Sequence, residues 1–345
     1  MKIAIHQREN SFSDRWIEYC EENNIDYKIV DCYRSDIVEQ LVNCNGLMWH
    51  WDLNDYKASL VAKQLTISLE SKSIKLFPNV NTSWHYNDKV GQKYLFESLN
   101  IPMIPTYIFY SKMEALEWVK TNTFPKVFKL RNGAGSLNVR LIRNKHEAKK
   151  LIKKSFGKGF ASSDKIANIK DKILHFKNDQ NFSRFTNIIK AILRFVLHKE
   201  NEKLFPREKG YVYFQDFIEG SEYDLRVVVV GDRCWAAARF NRDNDFRASG
   251  SGKYSFDNKY FSDKLIKLAF ETSRKLEAQS IAYDFISTDG KFLLIEISYA
   301  YPTGKSDMHP GYWDKDLNWY EGSVNAEYFM IEDFINLIKN NSMDN

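Results

Sequence analysis

The chain is short of the signals that usually place a protein at once. Its four cysteines, Cys20, Cys32, Cys44 and Cys234, include no Cys-x-x-Cys pair and no spacing that reads as a disulfide framework. They read as reduced, buried thiols in a cytoplasmic protein. No uninterrupted apolar run is long enough to span a bilayer. The opening MKIAIH gives way at once to polar QREN, which reads as a buried strand and not as a secretory leader. No Gly-x-Gly-x-x-Gly follows that strand, so dinucleotide binding is unsupported. Neither a Ser–His–Asp nor a Cys–His nucleophile signature is present.

What the chain does have is length and an uneven charge. Its 345 residues suffice for two or three packed lobes. Aromatic residues make up 15%, which points to aromatic-rich cores or to a surface that binds sugars or rings. Between Lys145 and Lys209 there are 17 Lys and Arg against 7 Asp and Glu, while the rest of the chain holds 33 against 38. A basic segment on a weakly acidic body implies an anionic partner near that segment. Within it, FSRFTNIIKAILRFVLHKENE reads as an amphipathic helix with a basic face. Such a helix can lie on an anionic membrane surface, pack as an ordinary helix, or face an acidic saccharide or a lipid-linked phosphate. No nucleic-acid-binding motif accompanies the charge, so nucleic acid is not an expected partner.

The chain divides into four stretches. Residues 1–80 alternate strand and helix: MKIAIH, DYKIVDCY and GLMWHW as strands, a helix capped by Ser13 and running to about Asn23, and a second over DIVEQLVNC. That alternation predicts a parallel sheet covered on both sides. Trp49, His50, Trp51 and Asp52 fall at a strand's C-terminal end, where open α/β sheets place ligands; packed tryptophans and a satisfied histidine are the other reading. Residues 81–144 hold a helix begun by Asn87-Asp88 and carrying Lys89, a helix capped by Ser111, and two strands joined by the Gly-rich loop Asn132-Gly133-Ala134-Gly135-Ser136. Glycines allow close backbone approach, so such a loop can offer amide groups to phosphate oxygens, although a plain hairpin turn looks alike. Residues 145–209 form the basic helical insertion. Residues 210–345 contain the strand YVYFQDFI, a hairpin turned by Gly231-Asp232, an amphipathic helix, and two apolar runs separated by STDGK. Asp-Gly in that turn predicts an antiparallel pair with Asp284 and Glu296 side by side. Two hard oxygen ligands on a rigid sheet can hold Mg²⁺.

Lys129 with its Gly-rich loop, the arginine-bearing hairpin, the run Asp245-Phe246-Arg247 and the Asp284–Glu296 pair together resemble the ATP-grasp carboxylate–amine ligases, the kind that includes glutathione synthetase and the ligase adding glutamate to a ribosomal protein. The resemblance runs from about Asn81 to Gly304. It implies an α/β chain with α+β lobes: an ATP-grasp fold with a Rossmann-like lobe before it and the basic segment inserted. It implies ATP and Mg²⁺ as cofactors. Lys89 and Lys129 would reach the phosphates, with Gly133, Gly135 and Ser136 folded over them. Gln215, Asp216, Phe217 and Ile218 would border the adenine, and Glu222 or Asp224 the ribose. Asp284 and Glu296 would carry the metal. The family's usual third ligand is an asparagine; here the position is Ser298, a weaker ligand. Arg247 would approach the terminal phosphates, while Arg226 and Arg239 stand between that role and structural ion pairs.

The reaction implied is amide formation through an acyl phosphate, between small-molecule carboxylate and amine substrates and without a protein nucleophile. The aromatic tail YAYPTGKSDMHPGYWDKDLNWYEG, with the early WHW, is similar to ATP-grasp proteins associated with bacterial surface-polysaccharide assembly. That similarity implies a uronic-acid sugar, as a sugar nucleotide or lipid-linked saccharide, amidated by an amino acid or amine at the inner face of the membrane. A peptide or amino-acid ligase, a kinase on the same fold and a non-catalytic ATP-binding scaffold are the alternatives. Fold alone does not choose among them.

Overall fold

The structure, a computed structural model, describes residues 1–53, 55–72, 74–133, 138–161, 205–302 and 308–341. The expected basic helix over 182–202 lies outside them, as do Gly135 and Ser136. Among the described residues no helix is long and apolar enough to cross a membrane. All four cysteines are free thiols. Contacts divide the chain into two compact units: Met1–Tyr86, Leu95–Pro102 and Ser221–Asn345 form one, Asn87–Tyr94 and Met103–Gly220 the other.

The first unit opens with a parallel sheet of β1 (Lys2–His6), β2 (Asp26–Val30), β3 (Gly46–Trp49) and β4 (Lys75–Phe77), in the order β2-β1-β3-β4. The helix after β1 spans Phe12–Glu22 and is capped by Ser11, whose hydroxyl accepts the Ser13 N–H. The expected cap, Ser13, lies inside the helix and donates its own hydroxyl back to the Arg8 carbonyl at 3.0 Å. Trp16 and Cys20 face the core as their spacing predicts. The expected helix over DIVEQLVNC shrinks to one turn, Ile37–Gln40, because Asn43 turns the chain at φ 66° before β3 begins. A helix over Tyr56–Glu70, capped by Asp55, leads to β4.

The second unit is an antiparallel sheet of β5 (Thr106–Phe109), β6 (Lys126–Lys129), β7 (Arg140–Ile142) and β8 (Val212–Asp216), ordered β5-β8-β6-β7. Helices Lys112–Thr121 and Lys145–Ser155 bury Ala115, Val119, Ala148 and Ile152 against Phe128, Ile142 and Phe214. Ser111 caps the first of these helices, as expected from sequence.

The first unit's other sheet runs β13-β12-β9-β10-β14-β15, with β11 paired to β10. Its strands are β9 (Tyr223–Val230), β10 (Arg233–Phe240), β11 (Tyr254–Ser255), β12 (Ser280–Thr288), β13 (Lys291–Ser298), β14 (Gly311–Asp314) and β15 (Trp319–Glu321). Asp289 and Gly290, at φ 48° and 68°, make the expected tight turn between β12 and β13. Val228, Val230, Trp235 and Ala282 of this sheet pack with Ile3, Phe12, Trp16, Met48 and Phe77, and with Met330, Ile331 and Phe334 of the last helix. The N-terminal lobe and the C-terminal sheet therefore share one core.

That core neutralises its histidines. Burial lowers His50 to about 3, His85 to about 4 and His309 to about 4. Each stays neutral when folded but takes a proton near pH 6.5 when unfolded, so the unfolded chain binds more protons as pH falls. Stability should be full above pH about 6.5 and fall by about 1.4 kcal/mol per pH unit for each such histidine down to pH about 4. Denaturant unfolding at pH 7.5, 6 and 5 measures this; a flat profile would contradict the buried neutral histidines.

Candidate functional site

In the first unit, a charged ladder crosses three adjacent strands. Asp284 on β12 is in register with Arg226 on β9, and Asp224 on β9 is in register with Arg239 on β10. Arg226 grips Asp284 with both arms, Nε to Oδ1 at 2.8 Å and Nη2 to Oδ2 at 2.9 Å. Arg239 grips Asp224 likewise, at 2.6 and 2.8 Å, and its Nη2 also reaches Asp284 Oδ2 at 2.9 Å. Burial alone would raise the Asp284 carboxyl, but the two guanidinium groups outweigh it and hold the acid well below the usual carboxylate range. Asp284 is therefore an anion at neutral pH.

Glu296 on β13 is directly opposite Asp284. A bulge next to the pair makes this work. The register passes from Asp284–Glu296 to Phe285–Leu294, leaving Ile295 as the extra residue. In a regular strand Leu294 and Glu296 would share one face. The bulge lets Leu294 enter the core with Phe285 while Glu296 faces Asp284. Ser298, opposite Ala282, follows on the same face, and its hydroxyl donates to the Ala300 carbonyl at 2.8 Å.

These donors fit a hard cation. A carboxylate oxygen has about two acceptor positions. Among the described residues, Asp284 Oδ2 uses both on arginine, whereas Oδ1 uses one and keeps one. Glu296 adds a second carboxylate, and the Ser298 oxygen can still offer a lone pair. Among the described residues no group of three or more His, Cys, Asp or Glu side chains is placed to hold a metal. Mg²⁺ commonly takes only one or two carboxylates and completes its shell with water and phosphate.

In the second unit, Lys129 ends β6, is buried and pairs in register with Tyr213. Lys89, also buried, begins the helix Lys89–Ser98 and donates Nζ to the Gly133 carbonyl at 2.6 Å. Gly133 donates its N–H to Asn87 Oδ1 at 2.7 Å. The helix start and the base of the Gly-rich loop are thus one assembly.

Residues 189–312 match the family model of the RimK-like ATP-grasp domain. D-alanine–D-alanine ligase from Bacillus anthracis superposes with a TM-score of 0.53 at 14% identity over 99% of both chains. The RimK domain ATP-grasp protein from Sphaerobacter thermophilus DSM 20745 gives 0.56 at 12% over 97% of this chain and 99% of that one. The chain carries an ATP-grasp fold. The ATP-grasp ligase PsnB, solved with a minimal precursor, Mg and ADP, is also similar, with a TM-score of 0.55 at 11% identity over 98% of each chain. No curated protein sequence matches.

Within this fold the expected site residues have definite partners. Arg239 is 3% exposed and lies between two carboxylates, so it orients Asp284 and Asp224. Asp224 is taken by Arg239, whereas Glu222 is exposed and has no ion pair among the described residues. The Gln215 side chain is buried and donates to Thr106 Oγ1 at 3.1 Å, a tie between β8 and β5. Asp216 gives its N–H to the Pro105 carbonyl at 2.9 Å, and its carboxylate accepts from Lys126 Nζ at 2.6 Å. Arg247 is clasped by Asp245, Nε to Oδ2 at 2.8 Å. Trp49 and Trp51 are core residues, and buried His50 stacks on Phe12 at 3.7 Å and accepts the Phe12 N–H on Nδ1. Packing is thus the outcome for the WHW stretch.

Sequence reasoning missed Arg242, whose guanidinium holds the Ser249 carbonyl and so the small-residue run after it. Arg239→Met should leave Asp224 without the arginine that grips it, while Asp284 keeps Arg226, and cost about 3–5 kcal/mol. Adding Asp224→Asn should recover part of that loss. Denaturant midpoints of the two single variants and the double variant measure the coupling, and strict additivity would refute the ladder.

Proposed function

We propose that the chain is an ATP- and Mg²⁺-dependent, ADP-forming carboxylate–amine ligase. The observation that carries this reading is the oriented Asp284 opposite Glu296 within an ATP-grasp fold. In this reading Lys89, Lys129 and the loop at Gly133 bind the triphosphate, Phe217 and Ile218 the adenine, and Glu222 the ribose. Asp284, Glu296 and Ser298 hold Mg²⁺, which when bound offsets the charge that builds as the γ-phosphoryl group moves. A substrate carboxylate oxygen attacks the γ-phosphorus and ADP leaves. An amine nitrogen then attacks the acyl carbon, phosphate leaves, and the amine loses a proton. Arg226 keeps Asp284 in place, and Arg247, steadied by Asp245, stabilises the acyl phosphate.

The finer reading makes the carboxylate a uronic-acid sugar and the amine an amino acid or small amine, acted on at the inner face of a membrane that the basic segment touches. Its support in the tail is a flat polar ledge: Tyr320, 46% exposed, stacks on Tyr312 at 5.3 Å and 14° between planes, with its hydroxyl on Asp314. A second reading, a nucleotide-binding scaffold, is favoured by Ser298, whose hydroxyl is directed to the Ala300 carbonyl and which replaces a stronger ligand.

ADP release from pooled acids and amines with ATP and Mg²⁺, followed by product mass, tests these readings. The ligase reading expects an amide, and a fall of about a hundredfold or more in turnover for Asp284→Asn and for Glu296→Gln. A phosphate ester as product would indicate a kinase. ATP binding without turnover, changed only in affinity by Asp284→Asn, would indicate the scaffold. Turnover with amino-acid pairs but not with nucleotide-linked uronates would refute the sugar.

A further inference from the structure

Glu208 stands at the end of the basic segment, and only 5% of its surface is exposed. Its backbone pairs with Phe160 in both directions at 2.9 Å, closing the neck through which the segment leaves and returns. Arg207 reinforces that neck, with Nε to the Lys158 carbonyl at 2.7 Å and Nη2 to the Gly159 carbonyl at 2.9 Å. None of these bonds uses the Glu208 side chain.

The carboxylate serves a different element. Oε1 accepts from Asn132 Nδ2 at 2.7 Å and lies 3.7 Å from Arg131 Nη2, while Oε2 accepts from the Tyr211 hydroxyl at 2.8 Å. Tyr211 in turn accepts the Arg131 N–H at 2.6 Å. Arg131 and Asn132 are the entry to the Gly-rich loop. Its next residue, Gly133, is already gripped from the other side by Lys89 and Asn87, and sits at φ 127°, where a side chain would be strained. The loop entry is thus clamped from two flanks, one of which is the neck of the basic segment.

We infer that Glu208 is a positioning residue for nucleotide phosphate: it orders the entry of the Gly-rich loop before the nucleotide arrives and couples nucleotide affinity to the neck of the basic segment. The inference rests on the reading in which that loop meets phosphates. Ordering a loop in advance removes part of the entropic cost of binding. Carboxylate hydrogen bonds are among the stronger ones, so their loss should be measurable.

The test uses the full chain and two measurements. Without nucleotide, hydrogen exchange over Arg131–Gly133 should quicken about tenfold in Glu208→Ala, and less in Glu208→Gln, which keeps an acceptor for Asn132. By calorimetry, affinity for ATP with Mg²⁺ should weaken about tenfold in Glu208→Ala and about threefold in Glu208→Gln. Asn132→Ala should weaken it similarly, and the double variant Glu208→Ala/Asn132→Ala should be little worse than either single change. Loop exchange in Glu208→Ala equal to wild type overturns the inference, as does unchanged affinity in a protein that binds nucleotide. If Glu208→Ala fails to fold, Asn132→Ala decides, because it leaves the neck bonds in place. A wild-type chain with no nucleotide affinity counts against the ligase reading, and the exchange measurement still judges the clamp.

Discussion

Alternating charge across β12, β9 and β10 governs the candidate site. The Asp284 side chain is only 14% exposed, and a lone carboxylate so enclosed would be pushed towards its protonated form. It remains an anion because Arg226 grips both its oxygens and Arg239 adds a third bond. Arg239 is itself buried, and is tolerated because Asp224 meets its other edge. Each member of the series justifies the next. Such a ladder contributes little net stability but fixes geometry, and removing Arg239 would leave Asp224 without the arginine that grips it. The result is a carboxylate held as an anion, whose Oδ1 accepts from Arg226 alone among the described residues.

The same sheet face has two chemistries along its length. On β9, Asp224, Arg226, Val228 and Val230 share one side, and register sets Arg239, Ala237 and Trp235 of β10 beside the first three. The apolar end, Val228, Val230 and Trp235, is sealed by the N-terminal lobe and the last helix. The opposite side of β9, with Leu225, Val227 and Val229, is buried, and the helix Asp263–Leu276 buries its apolar residues on this part of the fold. The packed end holds the strands rigid, and that rigidity lets the charged end keep its alignment. The bulge at Ile295 then turns Glu296 to the charged side without withdrawing Leu294 from the core.

The glycine-rich loop in the other unit is handled by a different device. Loop glycines are free to adopt many conformations, and a site built on them needs its ends fixed. Lys89 and Asn87 fix one flank through Gly133, and Glu208, Tyr211 and Asn132 fix the other. Two buried cation-bearing chains, Lys89 and Lys129, flank a stretch whose own sequence is small and polar.

Much of this was readable along the chain. The alternation of strands and helices in the first 80 residues, the Asp-Gly turn between β12 and β13, the Gly231-Asp232 hairpin and the opposition of Asp284 and Glu296 all follow from local spacing and turn chemistry. Spacing could not say which charged side chains serve each other. Arg239 and Asp224 stand 15 residues apart, Arg226 and Asp284 58, and Asn132 and Glu208 76, and nothing local marks those pairings. Nor could it show that Trp49 and His50, at a strand end suited to ligands, are consumed by packing against Phe12 and its neighbours. The sequence by itself determined the elements, their turns and the chemical kind of each site residue, because those depend on neighbours a few positions away. Only the tertiary structure decided which arginines orient a carboxylate and which acid anchors the loop, because buried charges take their roles from the partners that folding brings to them.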